Sequence, residues 1–226
     1  MTEINKRIEI KSSGLEIVGI DFNSSTDQKY IADGVKIAAS AFGVHQITQE
    51  FDDDVRGHII GHRVIFAYND RGEPVGFGSY DHLQDGGTGI LYISGLVVNK
   101  ETQGLGIGSS LSKEAVVDLR RRGYPVILVA GRTQSPVVAA ARSSYCHPVY
   151  PIDAEPSPDI ISAANMLLRH LNMTGIMDPR TLVTRNAYPH PLYEVRPQSK
   201  HKKINDFFAR NVEPRDAVFI IGRPVC

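Results

Sequence analysis

The clearest potential for chemistry in this sequence lies in a glycine-rich stretch that runs from Gln103 to Gly108. Alternating glycines let the backbone curve closely around a ligand, because no Cβ atom stands in the way. Apolar residues recur every fourth position from Ile107, which predicts a helix whose first amides have no partner within the helix. Those amides and the helix dipole attract an anion, and Ser109 and Ser110 add hydroxyl groups at the same end. The stretch therefore predicts a site for a pyrophosphate group.

Of three known phosphate-binding turns, one fits the spacing of these glycines. A P-loop needs a Gly-Lys pair before Ser or Thr, and this region has none. The dinucleotide fingerprint Gly-x-Gly-x-x-Gly would need a glycine where Ser109 or Leu111 stands. The third turn, Gln/Arg-x-x-Gly-x-Gly/Ala, matches at Gln103, Gly106 and Gly108.

This third turn is the signature of the GNAT acyltransferase superfamily, and the chain resembles that family over residues 28–145 in the order of its predicted elements. The resemblance implies an acyl-CoA co-substrate, with acetyl-CoA as the default, whose pyrophosphate the turn would hold. The strand before the turn would pair with the pantetheine arm, and one of its amides would stabilise the oxyanion of the tetrahedral intermediate. The residues that the resemblance assigns to the co-substrate are Leu96, Val97, Val98, Gln103, Gly104, Leu105, Gly106, Ile107, Gly108, Ser109, Thr133 and Gln134.

The resemblance assigns catalytic residues less directly than co-substrate residues, because the acidic residue that many members carry just before the turn is absent here. Ser94 takes that place, and a water held by Ser94 or Tyr92 could relay the proton of the acceptor amine. Tyr145, about one turn later than the family's position, is the candidate acid for the leaving thiolate, or it packs at a helix end. Asp81 and His82 are further candidate bases, with a solvated hairpin end as the alternative for both.

The elements that would position these residues follow from hydrophobic periodicity and turn signals. Helices are predicted for residues 28–42, 50–60, 109–122, 135–145, 158–171 and 201–212. Strands are predicted within residues 7–20 and for 64–68, 75–80, 90–98, 126–130, 192–195 and 217–221, with a proline-rich loop over 146–158. The strand, helix and strand between residues 90 and 130 form a βαβ unit.

These elements predict an α/β protein with a GNAT-like central mixed sheet flanked by helices and a C-terminal helical and irregular extension. Residues 1–145 are predicted to form the acyl-CoA-binding core. Residues 146–226 would complete the sheet with their last strand and would cover the acceptor pocket or form a homodimer contact. The sequence leaves these two roles of the extension open.

Composition narrows the class of protein. The 226 residues include 25 Lys and Arg and 25 Asp and Glu, and the resulting zero net charge argues against a general nucleic-acid partner. The two cysteines, Cys146 and Cys226, are too few for a disulfide framework. The first residues do not resemble a signal peptide, and no apolar run is long enough to span a bilayer. We therefore expect a cytoplasmic protein with no membrane partner, and the spacing of its histidines predicts no metal site.

The function implied by the resemblance is N-acyl transfer, in which an amine of a small molecule or peptide attacks the CoA thioester directly. The alternative is a CoA-binding module that senses or scaffolds without turnover, and the missing acid near Ser94 is the feature that favours it. Acylation of a nucleic acid is a third hypothesis, which the neutral charge opposes.

Overall fold

The structure is a computed structural model that describes residues 15–22, 28–85, 87–173 and 175–225. The helices are α1 (Gln28–Phe42), α2 (Gln49–Gly57), α3 (Ile107–Arg121), α4 (Pro136–Ser143), α5 (Pro158–His170) and α6 (Lys202–Asn211). The strands are β1 (Glu16–Asp21), β2 (Arg63–Tyr68), β3 (Pro74–Asp85), β4 (Thr88–Val98), β5 (Leu128–Thr133), β6 (Cys146–Tyr150), β7 (Val183–Thr184) and β8 (Ala217–Pro224). A short 3-10 helix, Lys100–Thr102, lies between β4 and α3.

The strands form one eight-stranded sheet in the order β1-β2-β3-β4-β5-β8-β6, with β7 paired to β8. The pairs β1–β2, β2–β3, β5–β8 and β6–β8 are antiparallel. The helix α3 connects the neighbouring strands β4 and β5, as a βαβ unit requires. The predicted α/β class with a GNAT-like sheet flanked by helices is confirmed.

The chain divides into two compact units. The first comprises residues up to 82 together with 93–123, and the second comprises 83–92 together with 124–226. Because β4 passes from the second unit into the first, its early residues pair within the second unit, where the Ile127 amide donates to the Gly89 carbonyl at 2.9 Å. The predicted division at residue 145 stays a prediction.

The core of the first unit lies between α1, α2 and the sheet. The buried face of α1 carries Ile31, Val35 and Ala38, which recur with the helical period that predicted this helix. The helix α2 begins at Thr48, whose hydroxyl caps the helix by accepting a hydrogen bond from the Phe51 amide at 3.2 Å. These two helices pack on strand residues such as Phe66, so the helical and strand patterns of the sequence meet in one apolar cluster.

The helix α3 is fixed to the sheet by a buried polar cluster. Asp118 of α3 accepts two hydrogen bonds from the Arg63 guanidinium of β2, at 3.2 and 3.0 Å. Asp118 also accepts a hydrogen bond from the Tyr80 hydroxyl of β3 at 2.6 Å. Burial and the neighbouring Asp118 carboxylate raise the pKa of Tyr80, so that this hydroxyl keeps its proton and acts as a donor. The cluster therefore sets how α3 lies on β2 and β3.

The second unit corrects two predictions from the sequence. Residues 146–158 were expected to be a loop because of their prolines, yet Cys146–Tyr150 forms β6. This strand is the outermost of the order, and an edge strand tolerates a residue such as Pro148 that cannot donate a ladder hydrogen bond. The second correction concerns residues 192–195, which form no strand; instead, Val183–Thr184 pairs with β8.

Among the residues that the structure describes, no helix is both long and apolar enough to cross a bilayer. The part of the predicted N-terminal strands that falls in residues 7–14 lies outside the described residues.

Candidate functional site

The glycine-rich stretch forms the connection between β4 and α3. Gly104 and Gly106 have φ angles of 82° and 83°, in the left-handed region that residues with a side chain rarely adopt. A Cβ atom added to either glycine would have no atom within 4 Å, so the space beside both is open. The turn therefore presents bare backbone next to open space, an arrangement that can accommodate a phosphate group.

The helix α3 begins directly after Gly106 and is 15 residues long. Its first-turn amides have no acceptor within the helix, and its dipole places partial positive charge at this end. The side chain of Ile107 is buried and anchors the first turn. A Cβ atom on Gly108 would lie 3.5 Å from Leu96 of β4, which shows how closely the helix start packs on the strand. The positive end of α3 is thus held firmly beside the turn.

Asn99 holds the segment that enters the turn. Its Oδ1 accepts hydrogen bonds from the Ser40 hydroxyl of α1 at 2.7 Å and from the Glu101 amide at 3.2 Å. The backbone amide of Asn99 donates to the Val75 carbonyl of β3 at 2.9 Å. The signature residue Gln103 adds a second tie, because its Nε2 donates to the Val98 carbonyl at 3.0 Å. The turn is therefore preorganised by side chains that flank it.

The last residues of β4 alternate between the two faces of the sheet. Leu96 and Val98 lie closest to Gly108 at the start of α3, whereas Val97 packs against the core between the sheet and α1 and α2. Ser94 donates from its hydroxyl to the hydroxyl of Ser79 on β3 at 3.2 Å, and Ser79 is fully buried. The candidate base Ser94 thus has a partner on the neighbouring strand.

Two histidines that the sequence did not mark as functional, His58 and His62, lie between the end of α2 and the start of β2. His62 Nδ1 lies 2.7 Å from Asp81 Oδ1 of β3. This hydrogen bond raises the pKa of His62, the Asp81 charge and a hydrogen bond to the Gly57 backbone add to the effect, and burial opposes it. His58 ends α2, and its Nδ1 lies 3.8 Å from the position of a Cβ atom added to Gly95 of β4.

Nothing in the spacing of these histidines indicates that they approach β3 and β4. Asp81, which the sequence offered as a candidate base, forms an ion pair with His62 whenever that histidine is protonated. The side chains of both residues are mostly buried, so the pair connects the segment between α2 and β2 to β3. Tertiary contact alone brings His58, His62 and Gly95 into one region of the first unit.

The two tyrosines predicted to be catalytic both lie in the second unit. Tyr92 is buried, and its ring packs edge-on against His170 of α5 with the ring centroids 6.0 Å apart. Tyr145 follows the end of α4 and is buried as well, with the Arg142 guanidinium 5.5 Å from its ring centroid. Ser94 and the segment 96–109 lie in the first unit. The roles of Tyr92 and Tyr145 stay predictions.

Thr133 and Gln134, which the resemblance assigned to the co-substrate, are buried at the end of β5. The Gln134 amide donates to the carbonyls of Pro214 and Asp216 at 2.8 and 2.9 Å and accepts from the Leu192 amide at 3.1 Å. Thr133 Oγ1 accepts from the Ser135 amide at 2.9 Å. Both side chains are therefore engaged within the second unit, and their assignment to the co-substrate stays a prediction.

No group of three or more His, Cys, Asp or Glu side chains suited to a metal ion occurs in the described part of the chain.

Comparison with known proteins identifies the family. Residues 35–145 match the sequence model of the Acetyltransferase (GNAT) family, and this stretch contains the turn, α3 and β5. This region of the chain belongs to the GNAT family. The resemblance drawn from Gln103, Gly106 and Gly108 is confirmed.

Solved structures of acetyltransferases are similar to this chain at low sequence identity. The ribosomal-protein-S18-alanine N-acetyltransferase of Escherichia coli is 14% identical, with 94% of this chain and 95% of that chain covered and a TM-score of 0.46. A GNAT family acetyltransferase of Elizabethkingia anophelis with acetyl-CoA bound is 12% identical, with 94% and 99% covered and a TM-score of 0.44. No curated protein matched the sequence. The assignment to the GNAT family therefore rests on residues 35–145.

Proposed function

We propose that this protein is an N-acyltransferase that moves an acetyl group, or a similar acyl group, from CoA to an amine of a small molecule or peptide. The observation that carries the proposal is the turn from Gln103 to Gly108 in a GNAT domain, with its two left-handed glycines and the start of α3 beside open space. That arrangement suits the pyrophosphate of CoA, because amides and a helix dipole bind anions without a cationic side chain.

The transfer would follow direct attack. The pantetheine arm would lie along Leu96–Val98 in the manner of an added strand, with its amides paired to the strand backbone. A backbone amide of this segment would stabilise the oxyanion that forms on the thioester carbonyl. The acceptor amine must lose a proton for the attack, and the CoA thiolate must gain one as it leaves.

The alternative is a CoA-binding module without turnover. The feature that favours it is the absence of Asp and Glu from the sequence stretch 92–96, in which the Ser94 hydroxyl is bonded to Ser79. A panel of amines separates the two: a peptide with a free α-amine, an aminoglycoside, a polyamine and free lysine, each incubated with acetyl-CoA while thiol release is followed. Thiol release that depends on an amine supports the enzyme. Acetyl-CoA binding with no amine-dependent release across the panel favours the module.

Calorimetric titration of acetyl-CoA into the purified protein tests the site itself. We expect a Kd in roughly the micromolar range. The variant Gly106→Asp places a carboxylate in the open space beside the turn, where it would repel the pyrophosphate, so binding should be lost.

The variant Gly123→Asp is the matched control. Gly123 has the same φ of 83° and the same open surroundings, and it follows the far end of α3, about 25 Å from Gly106 at 1.5 Å per residue. A new aspartate there imposes the same backbone strain without approaching the turn, so acetyl-CoA should bind as in the parent. Equal binding by the parent and by Gly106→Asp would refute the proposed site.

A further inference from the structure

The imidazole of His58 stands over β4 at Gly95. A Cβ atom on Gly95 would lie 3.8 Å from both Cβ and Nδ1 of His58 and 2.7 Å from the Ser79 hydroxyl. A side chain at position 95 would therefore collide with β3, and the absence of one lets the histidine approach the strand backbone. His58 is solvent-exposed, so its ring is accessible to a ligand as well as close to the strand.

The position of His58 is set by its surroundings. Its amide donates to the Asp54 and Val55 carbonyls at the end of α2, at 3.3 and 3.1 Å. The next residue, Ile59, is fully buried in the core between α1, α2 and the sheet. His62 then links the Gly57 backbone to Asp81 of β3. The backbone on both sides of His58 is thus held beside the strand.

Helices pack on both faces of β4 in the first unit, α3 on one face and α1 and α2 on the other, and His58 lies where α2 ends. Leu96 and Val98 point toward α3, so that helix covers their face of β4. Gly95 points to the opposite face, because consecutive residues of a strand alternate. His58 stands on that opposite face.

Under the proposed function, the acyl group lies at the end of β4 that carries Gly95. The pyrophosphate sits at the turn after Val98, and the pantetheine arm extends back along the strand, away from that turn. The thioester, at the far end of the arm, therefore falls beside Gly95 and Leu96.

We propose that His58 is the general base of the acyl transfer, an inference that rests on the proposed function. The imidazole takes one proton from the ammonium form of the acceptor. The freed nitrogen lone pair bonds to the thioester carbonyl carbon, the C–S bond breaks, and the CoA thiolate leaves. The new amide nitrogen gives up its second proton, which the thiolate takes, and the imidazolium returns its proton to water. This role supplies the base that the stretch around Ser94 lacks.

Affinity labelling tests the position of His58 without knowledge of the acceptor. Bromoacetyl-CoA carries a carbon that an adjacent imidazole nitrogen alkylates as bromide departs. We expect peptide mapping by mass spectrometry to find the label on His58, and excess acetyl-CoA to prevent it. The variant His58→Gln should lose the label and retain acetyl-CoA binding by calorimetry. The variant His45→Gln, which removes another exposed histidine of the first unit, should be labelled like the parent.

The outcomes separate this inference from the proposal on which it depends. If acetyl-CoA binds and His58 stays unlabelled, His58 is not beside the acyl group and the inference is overturned. If acetyl-CoA does not bind at all, the proposed function fails first and takes this inference with it.

Kinetics with an amine that the parent acetylates test the chemical role. A lost general base lowers the rate by about 10²–10⁴-fold. We expect His58→Ala to lower kcat in that range with the Kd of acetyl-CoA unchanged, and added imidazole to restore part of the rate. A kcat equal to that of the parent would overturn the role. Full activity in His58→Gln would do the same, since glutamine fills the space and cannot accept the proton.

Discussion

Tyr80 and Asp118 lie 38 residues apart in sequence, yet the hydroxyl of the first donates to the carboxylate of the second at 2.6 Å in the interior of the first unit. Asp118 also accepts two hydrogen bonds from the Arg63 guanidinium, so the buried carboxylate has donors from both β2 and β3. The helix whose first amides face the glycine turn is therefore oriented by contacts near its other end. The candidate site depends on this cluster although no atom of the cluster belongs to it.

Removal of the carboxylate should cost more stability than removal of the hydroxyl. Asp118→Ala removes the buried carboxylate that accepts from both Arg63 and Tyr80 and leaves Arg63 with only the partly exposed Asp21, 3.0 Å away. Breaking a buried ion pair costs about 3–5 kcal/mol, and the remaining pair with Asp21 places the expected loss at the lower end. Tyr80→Phe removes one hydrogen bond to a charged group, worth about 1.5–3 kcal/mol. Urea unfolding of the two variants and the parent measures both losses. A smaller loss for Asp118→Ala than for Tyr80→Phe would contradict this account of the cluster.

The pair of His62 and Asp81 should make stability depend on pH. Because the hydrogen bond to Asp81 raises the pKa of His62 above its ordinary value, the folded protein holds this proton more tightly than the unfolded chain. The stabilisation is fully present below about pH 6.5, the unfolded pKa, and is lost as pH rises through the folded pKa. We expect the stability difference between the parent and His62→Gln to shrink from pH 6 toward pH 9, in urea unfolding at several pH values.

His45→Gln serves as the control for this pH series, since His45 is an exposed residue between α1 and α2. As an exposed substitution, it should change the free energy of unfolding by less than about 0.5 kcal/mol. A difference between the parent and His62→Gln that is constant across the range would show that the proton on His62 contributes nothing to folding.

Gln134 should behave as a structural residue of the second unit. Gln134→Leu removes the donor to the buried Asp216 carbonyl and two part-buried hydrogen bonds, to the Pro214 carbonyl and from the Leu192 amide. A buried carbonyl left without a donor costs about 1–3 kcal/mol. Gln134→Glu should lose more, because its carboxylate faces the carbonyls of Pro214 and Asp216. Thermal unfolding compares the two variants. Calorimetry on folded Gln134→Leu then tests the predicted co-substrate contact. If Gln134 contacts acetyl-CoA, the variant should bind it more weakly than the parent does.

Arg142 should tolerate replacement by an apolar side chain of similar length. It is 3% exposed, and its Nε and Nη1 have no hydrogen-bond partner among the residues that the structure describes. Apolar replacement of a buried charge is often neutral or stabilising. We therefore expect Arg142→Met to change the free energy of unfolding by less than about 1 kcal/mol, a value near that of one cation–π contact with Tyr145. A much larger loss in urea unfolding would mean that the guanidinium binds an anion.

The sequence by itself determined the local features of this protein. The turn from Gln103 to Gly108 could be predicted because its chemistry depends on glycines close together in the chain and on the helix that follows. The helices α1, α3 and α5 and the hairpin of β2 and β3 were predictable for the same reason, since hydrophobic period and turn residues are local signals. These signals sufficed for the fold class and the family.

Only the tertiary structure decided which distant side chains meet. His58 reaches Gly95, and Asp118 receives Tyr80, through packing between elements whose separation along the chain carries no mark of their contact. The same holds for β6. Its prolines predicted a loop, and the strand forms because Pro148 lies at the edge of the sheet, a position that the local sequence does not indicate. Local residue types limit what each segment can form, whereas contacts between distant segments depend on how the whole chain buries its apolar faces.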